Sequence, residues 1–289
     1  MRVFAGAPLF QIFHSKFYQT FITLDCEGIL MSKKYELTSE IKQIKHALTR
    51  NIINLYRIRA LKDFDDVKAG ALGGFIEKEV NLSHDGNCWV YDDACVYGHA
   101  RVYENAKIRH YSQVCGQVYG NCEIYGKAFI SQYAKIYDHA FVYGSAHVYG
   151  NIYGNAHVSG GARVFADAHI YDHAHVSHDA AIFSYARVYG HANVSGSACI
   201  YSHAKVYNYA VIKGRAKIYG KVYGSANVGG SCEVYGSVYG NAKLSYCATV
   251  WGRAYGNAKI NKKSKEKLVP KNCEVYESDH VIKIIDKTE

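Results

Sequence analysis

The chain has 289 residues, 49% of them apolar, and a formal charge of +9, which suits one large folded domain or two ordinary ones and not a disordered chain. No run approaches 18 uninterrupted apolar residues, so no helical membrane span is expected. The basic residues are scattered, so net charge alone does not single out an acidic partner. Twenty-seven Tyr and 26 Gly beside two Pro and two Met are a bias of the kind internal repeats produce.

Residues 1–30, "MRVFAGAPLFQIFHSKFYQTFITLDCEGIL", are apolar-rich but broken by Gln, His, Ser and Lys, and make a poor secretory signal. Met31 opens a more conventional start, "MSKKYELTSEIKQI", so residues 1–30 are expected to be an upstream extension. Residues 31–87 are expected to form a small α/β cap. Within it, the spacing in "ELTSEIKQIKHALTRNIINLYRI" predicts a short helix in 36–60, with Thr38 or Ser39 as N-cap, covering the N-terminal end of the main domain.

From Cys88 to residue 261 a six-residue unit recurs: small, variable, Val or Ile, Tyr, Gly or Asp, variable. "ACVYGH" at 94, "AKIYDH" at 134 and "ARVYGH" at 186 are examples. Small in, variable out, aliphatic in and Tyr out is the alternation of a strand. Gly, Asn, Asp and His then turn a corner, where left-handed backbone angles are needed. A strand this short cannot bury its inner face alone, so stacked copies must, and the pattern describes a solenoid.

Five units are shortened to four residues: "VYGN" at 118, "IYGN" at 152, "VYGS" at 222, "VYGN" at 238 and "AYGN" at 254. Their separations in units are all multiples of three, which chance would give about once in 81 trials if each shortening fell independently on one of three faces. The expectation is therefore three units per coil, with every shortening on one face and the leading small-variable pair lost. Units from 94 to 258 make about ten coils. Residues 262–271, "KKSKEKLVPK", are expected to be a basic linker. "CEVYES" (273–278) and "HVIKIIDK" then add a C-terminal strand cap over the open end.

Three hexapeptides per coil resemble the left-handed parallel β-helix. The stretch "FDDVKAGALGGFIEKEVNLSHDGNCWVYDDACVYGHARVYENAKI" (64–108) resembles the YdcK-like hexapeptide-repeat family of phage, prophage and enterobacterial proteins, and the likeness covers about residues 56–261. It implies an all-β, single-stranded left-handed β-helix. Members are often called transferases by their fold, and fold does not fix function.

Most Cys other than Cys95 are read as stand-ins for Ala or another small residue, with no CxxC pair. They are expected to be reduced, buried thiols of a protein in the cytoplasm of a bacterial host. Outward Tyr residues should stack into stripes on all three faces, with Tyr103, Tyr119, Tyr137, Tyr153 and Tyr171 along one. They read first as wall covering and second as a recognition surface. At a corner, Asn105, Asn121, His139, Asn155, His173 and His191 are attributed to tolerance of left-handed angles.

Three successive coils place Ser where Tyr belongs: Ser159, Ser177 and Ser195. With His157, His175, Asn193, His173, His191, His178 and Asp179 they outline a polar recess, the candidate ligand groove. No metal site is assigned, since stacked outward histidines lack a buried supporting shell. No catalytic residue is assigned either. A Ser-His-Asp triad needs converging groups, and a flat ladder points them outward in parallel.

Acyltransferases of this fold use one His as base in a groove between subunits of a trimer, beneath a loop over the acyl donor. On that alternative the base is His175, His157 or His173 and the cofactor acetyl-CoA or another acyl-CoA. The coils from 88 to 261 carry no insertion, which favours a non-catalytic binding or scaffold protein without cofactor. Such a protein is expected to be phage- or prophage-encoded and to associate with itself, a host protein or a small anionic, nucleotide-like ligand. Nucleic acid is disfavoured because charge gathers on no face; Lys205, Lys213, Arg215, Lys217 and Lys221 are the densest patch.

Overall fold

Every inward position of the hexapeptides is Ala, Cys, Gly, Ser, Val, Ile or Leu, and their burial builds one continuous axial core. The Ala–Val/Ile pairs from Ala94–Val96 to Ala248–Val250 are essentially inaccessible. The result, in a computed structural model that describes residues 22–24, 30–45 and 51–284, is a parallel β-solenoid of about eleven turns, consistent with left-handed winding. Residues 1–33 and 34–289 are separate units. In the first, Ile22–Leu24 pairs antiparallel with Leu30–Ser32, and most of the expected upstream extension lies outside the described residues.

Each coil lays one two-residue strand on each of three faces. The first face carries Cys95–Val96, Gln113–Val114, Phe129–Ile130 and their successors to Leu268–Val269. The second runs from Arg101–Val102 to the strands Arg253–Ile260 and Cys273–Ser278. The third starts at Trp89–Val90 and Lys107–Ile108 and ends in the pairing of Lys243–Leu244 with Lys259–Ile260. The extra turn beyond the expected ten comes from the ends. Trp89–Val90 opens the third face, and Leu268–Val269, inside the stretch expected to be a linker, pairs with Thr249–Val250.

The corners turn on a residue of positive φ, such as Asp138 (61°), Asp172 (57°) and Asn208 (58°). All five shortenings fall in register, as expected, but at a different place. The second-face strands Gln117–Val118, Asn151–Ile152, Lys221–Val222 and Ser237–Val238 are complete, and the pairing of Arg253 with Glu274 and Ala254 with Val275 continues them. What is missing is the two-residue corner between the first and second faces. Gly116, Gly150, Gly220, Gly236 and Gly252 stand in the small position directly after the first-face outward residue. There the backbone of the next coil comes so close that a Cβ on Gly236 would lie 2.0 Å from the Gly252 carbonyl oxygen.

The cap is all β. Tyr35–Lys45 and Ile52–Ala60 form an antiparallel hairpin, and no α-helix occurs among the described residues, only a 3-10 turn at Glu79–Asn81. The helix predicted over 36–60 fails for an identifiable reason. A bulge between Leu37 and Ile41 stretches the two-residue alternation into helix-like spacing, and the unpaired edge of the first coil offers backbone partners that an isolated helix would leave open. Thr38 Oγ1 accepts the Glu40 amide (3.3 Å) within that bulge rather than capping a helix. Ile52–Ala60 pairs with Leu72–Ile76, which pairs in parallel with Cys95–Val96 and so joins the cap to the first face.

The cap grips each face of the first coils. On the first face, Leu55 packs on Phe75, Cys95, Tyr97 and Cys115 in a second cluster. On the second, Leu82 bridges to Val102. On the third, Asp65 and Asp66 meet Lys107 and the Tyr91 hydroxyl. The cysteines are less uniform than expected. Cys88, Cys122 and Cys232 replace the inward small residue, Cys273 holds that position half-buried, Cys115 stands at a Tyr position beneath the hairpin, Cys199 faces outward and Cys247 is exposed at a corner.

Lys34, 1% exposed, is the unexpected polar pin of the cap. Its ammonium donates to the carbonyl oxygens of Cys88 (2.9 Å) and Gly86 (3.2 Å), approaches Cys88 Sγ (3.3 Å) and lies over the Phe64 ring (5.1 Å). Burial lowers its pKa, against the opposing pull of Cys88. Lys34→Met keeps the volume but strands buried carbonyls, so it should cost about 2 kcal/mol in urea denaturation. An unchanged midpoint would remove Lys34 from the cap's stabilising contacts.

Candidate functional site

Outward positions stack because equivalent residues sit one strand spacing apart. On the second face this gives an unbroken ladder of ten tyrosines from Tyr103 to Tyr255. Neighbouring centroids are 4.7–5.1 Å apart and the rings lie within 7° of parallel. The first face carries a mixed ladder, Tyr149, Phe165, Phe183, Tyr201, Tyr219, Tyr235 and Trp251. The stripe expected on the third face is a correction. It holds a stacked Tyr125–Tyr143 pair and then stops.

Beyond Tyr143 the third face places Ser159, Ser177 and Ser195 in register, as predicted, and continues without rings through Lys213, Gly229 and Ser245. The recess is therefore twice as long as the three serines imply. A search for missing rings rather than for serine would have found its second half. Lys213 lies along the floor there, its Cγ 3.3 Å from where a Cβ on Gly229 would stand.

The structure brings the predicted residues together as parallel columns. His157 stacks between Phe141 (4.8 Å) and His175 (4.7 Å). Asn193 is next in the same column. His157 is half-buried and His175 exposed. Burial first, and the His175 charge second, lower the pKa of His157. On the corner beside them, His173 stacks on His191 (4.8 Å) and His191 on Tyr209 (5.1 Å). The three serines are half-buried on the far side of the His157–His175–Asn193 column, between it and the opposite corner.

At the opposite corner Ser177 Oγ and His178 Nδ1 are 3.0 Å apart. The Asp179 carboxylate leans instead over Gly161, where a Cβ would come within 2.7 Å of it. Ser177, His178 and Asp179 are consecutive and do not form a base-oriented nucleophile. No group of three or more His, Cys, Asp or Glu able to hold an ion occurs among the described residues.

The histidines differ in why they are there. His178 has φ 58°, the left-handed region that His tolerates, so the turn accounts for it. The same cause, expected for His139, His173 and His191, does not serve them, because the left-handed residue at their corners is the one before, Asp138, Asp172 and Gly190. Their ladder is instead held by side chains: Asn105 donates to Asn121 (3.0 Å), and Asn121 contacts His139 Nε2 (3.1 Å). The histidine column along the recess thus has no backbone explanation. The basic patch disperses: Lys205 and Lys221 lie on the second face, Lys213 on the third, and Lys217 on the first, paired with Glu233 at 3.1 Å.

The YdcK β-solenoid repeat family model matches residues 134–150. Over 90 residues the sequence is 38% identical to an Escherichia coli (strain K12) protein named as an uncharacterized acetyltransferase, YdcK; the matched stretch is 30% of this chain and 28% of that relative's length. The repeat match, this relative and the three-sided coil register agree, and what they show is that the chain is similar to YdcK-like hexapeptide-repeat β-solenoid proteins.

Proposed function

We propose that the chain is a non-catalytic binding or scaffold protein whose ring-free third face, from Ser159 to Ser245, receives an anionic ligand or partner segment. The observation that supports this most is continuity. Each corner from Ala94 to Ile260 is a tight turn, so no extruded loop roofs a donor site, and the recess is open along its length. The histidine columns, the serines and Lys213 offer hydrogen-bond donors and a positive charge. The regular aromatic faces suit association with another copy or a host protein. Free cysteines fit a reducing bacterial cytoplasm, and the family resemblance suits a phage or prophage gene.

The name of the Escherichia coli relative favours a second reading, a trimeric acetyl-CoA-dependent acyltransferase with His157, His173 or His175 as general base. Mass in solution together with a thermal-shift screen of acetyl-CoA and nucleotides separates the two. A trimer protected by acetyl-CoA establishes the transferase; any other assembly without a coenzyme A effect supports the binding protein. Ser177→Tyr should fill the recess, change stability by less than about 0.5 kcal/mol and abolish any ligand-induced shift. A shift retained in that variant would rule out the third face.

A further inference from the structure

We propose that the open N-terminal end of the second-face tyrosine ladder binds a small planar aromatic ring carrying an anionic substituent. Leu82 pairs with Val102, and the Ser83 amide donates to the Val102 carbonyl (2.9 Å). Ser83 therefore stands one coil before Tyr103, at the position that every later rung fills with a ring. The ladder's other end is closed, with Tyr276 tilted over Tyr255 at 6.0 Å. At the N-terminal end a serine leaves the missing ring's place as a cleft of about 600 Å³, lined among others by Val80, Leu82, Ser83, Arg101 and Tyr103. That volume is in the range of small-molecule sites.

The cleft is preformed. The buried Asn81 side chain donates to the Ala100 carbonyl (2.9 Å) and accepts the Lys78 amide (3.0 Å), which fixes the wall-forming turn. Its chemistry has two ends. Tyr103 presents a ring that stacks on one side at 4.7 Å, on Tyr119, and faces the cleft on the other, while Val80, 54% exposed, forms an apolar flank. Arg101 is exposed, and among the described residues no ion pair or side-chain hydrogen bond engages its guanidinium, so it is available to an anion. A ring inserted at the ladder's pitch would sit on Tyr103 with its anionic group toward Arg101.

The probes are AMP and phenyl phosphate, two ring sizes with one anion, beside adenosine and inorganic phosphate, which each lack one half. Saturation-transfer NMR should show the two ring phosphates binding saturably, with ring protons shifted upfield, and adenosine weaker by about fivefold. Arg101→Gln should bring AMP down to the adenosine level and leave adenosine unchanged. Ser83→Tyr should complete the ladder, keep the fold and abolish binding. Ser177→Tyr, in the separate third-face recess, should leave this binding intact. No saturable binding of either ring phosphate below about 10 mM, or wild-type binding in Ser83→Tyr, would overturn the proposal.

Discussion

Gly236→Ala is expected to destabilise the protein by more than about 4 kcal/mol, at the upper end of what single substitutions do. The reason is backbone against backbone. A Cβ at 236 would lie 2.0 Å from the Gly252 carbonyl oxygen and 2.3 Å from that of Trp251. Neither can retreat cheaply, because the Gly252 carbonyl accepts the Ser237 amide (3.0 Å) and the Gly236 amide donates to Val250 (3.0 Å), so both positions are set by the ladder between coils. The same contact recurs at 1.9 Å from Gly220 to Gly236 and 2.0 Å from Gly252 to Cys273, and a shift at one coil collides with the next. Gly98→Ala is the control. Gly98 has φ +66° with nothing within 4 Å of an added Cβ, so only backbone strain is introduced, about 1 kcal/mol. Urea denaturation of both variants decides it: a Gly236→Ala loss no larger than that of Gly98→Ala would show that the shortened corner has slack.

The same glycines mark where the sequence stops being legible. Three faces and common register come from counting units, because in-out alternation and coil length are periodic and leave no freedom. Which pair a shortened coil drops cannot be counted in this way. In "VYGNIYGN", Gly150 can be read as the turn residue after Tyr149 or as the small residue before Ile152, and only the close approach of the next coil settles it. The cap hairpin was hidden by its bulge, since Leu37, Ile41 and Ile44 carry a helix's spacing on a strand. In the recess, serine was a visible mark, but its extension through Lys213 and Gly229 has no common residue type and shows only as rings that are absent. The cleft above Tyr103 had no local signal, because its wall is the Glu79–Asn81 turn folded against a coil twenty residues later.

The tyrosine ladder makes alkaline pH the condition under which the fold should fail as a unit. Burial, ahead of any neighbouring charge, pushes up the phenols of Tyr103, Tyr119, Tyr137, Tyr153, Tyr171, Tyr189, Tyr207 and Tyr239. For most of them a second push comes from the charge an adjacent ladder ring would carry. Burial likewise pushes the Cys115 and Cys232 thiols up to about 11 and that of Cys122 to about 12. A group whose folded pKa is raised stays protonated after the unfolded chain has begun to lose its proton. The unfolded state then binds fewer protons, and stability falls as pH rises from the unfolded pKa toward the folded one. Stability is therefore complete below about pH 8.5, erodes as unfolded thiols ionise, and drops steeply above about pH 10 where unfolded tyrosines do. Lys34 acts in the opposite sense, because its lowered pKa returns stability as pH climbs toward 10.5, but it is one group against many. Circular dichroism and tyrosinate absorbance near 295 nm should change together in one transition centred near about pH 11. Tyr153→Phe, which removes one mid-ladder ionisation while keeping the ring stack, should move that midpoint upward and leave stability at pH 7 unchanged. Tyrosines that titrate near pH 10 while the circular dichroism stays native would show that the ladder phenols are solvated and that stacking, not protonation, is all the rings contribute.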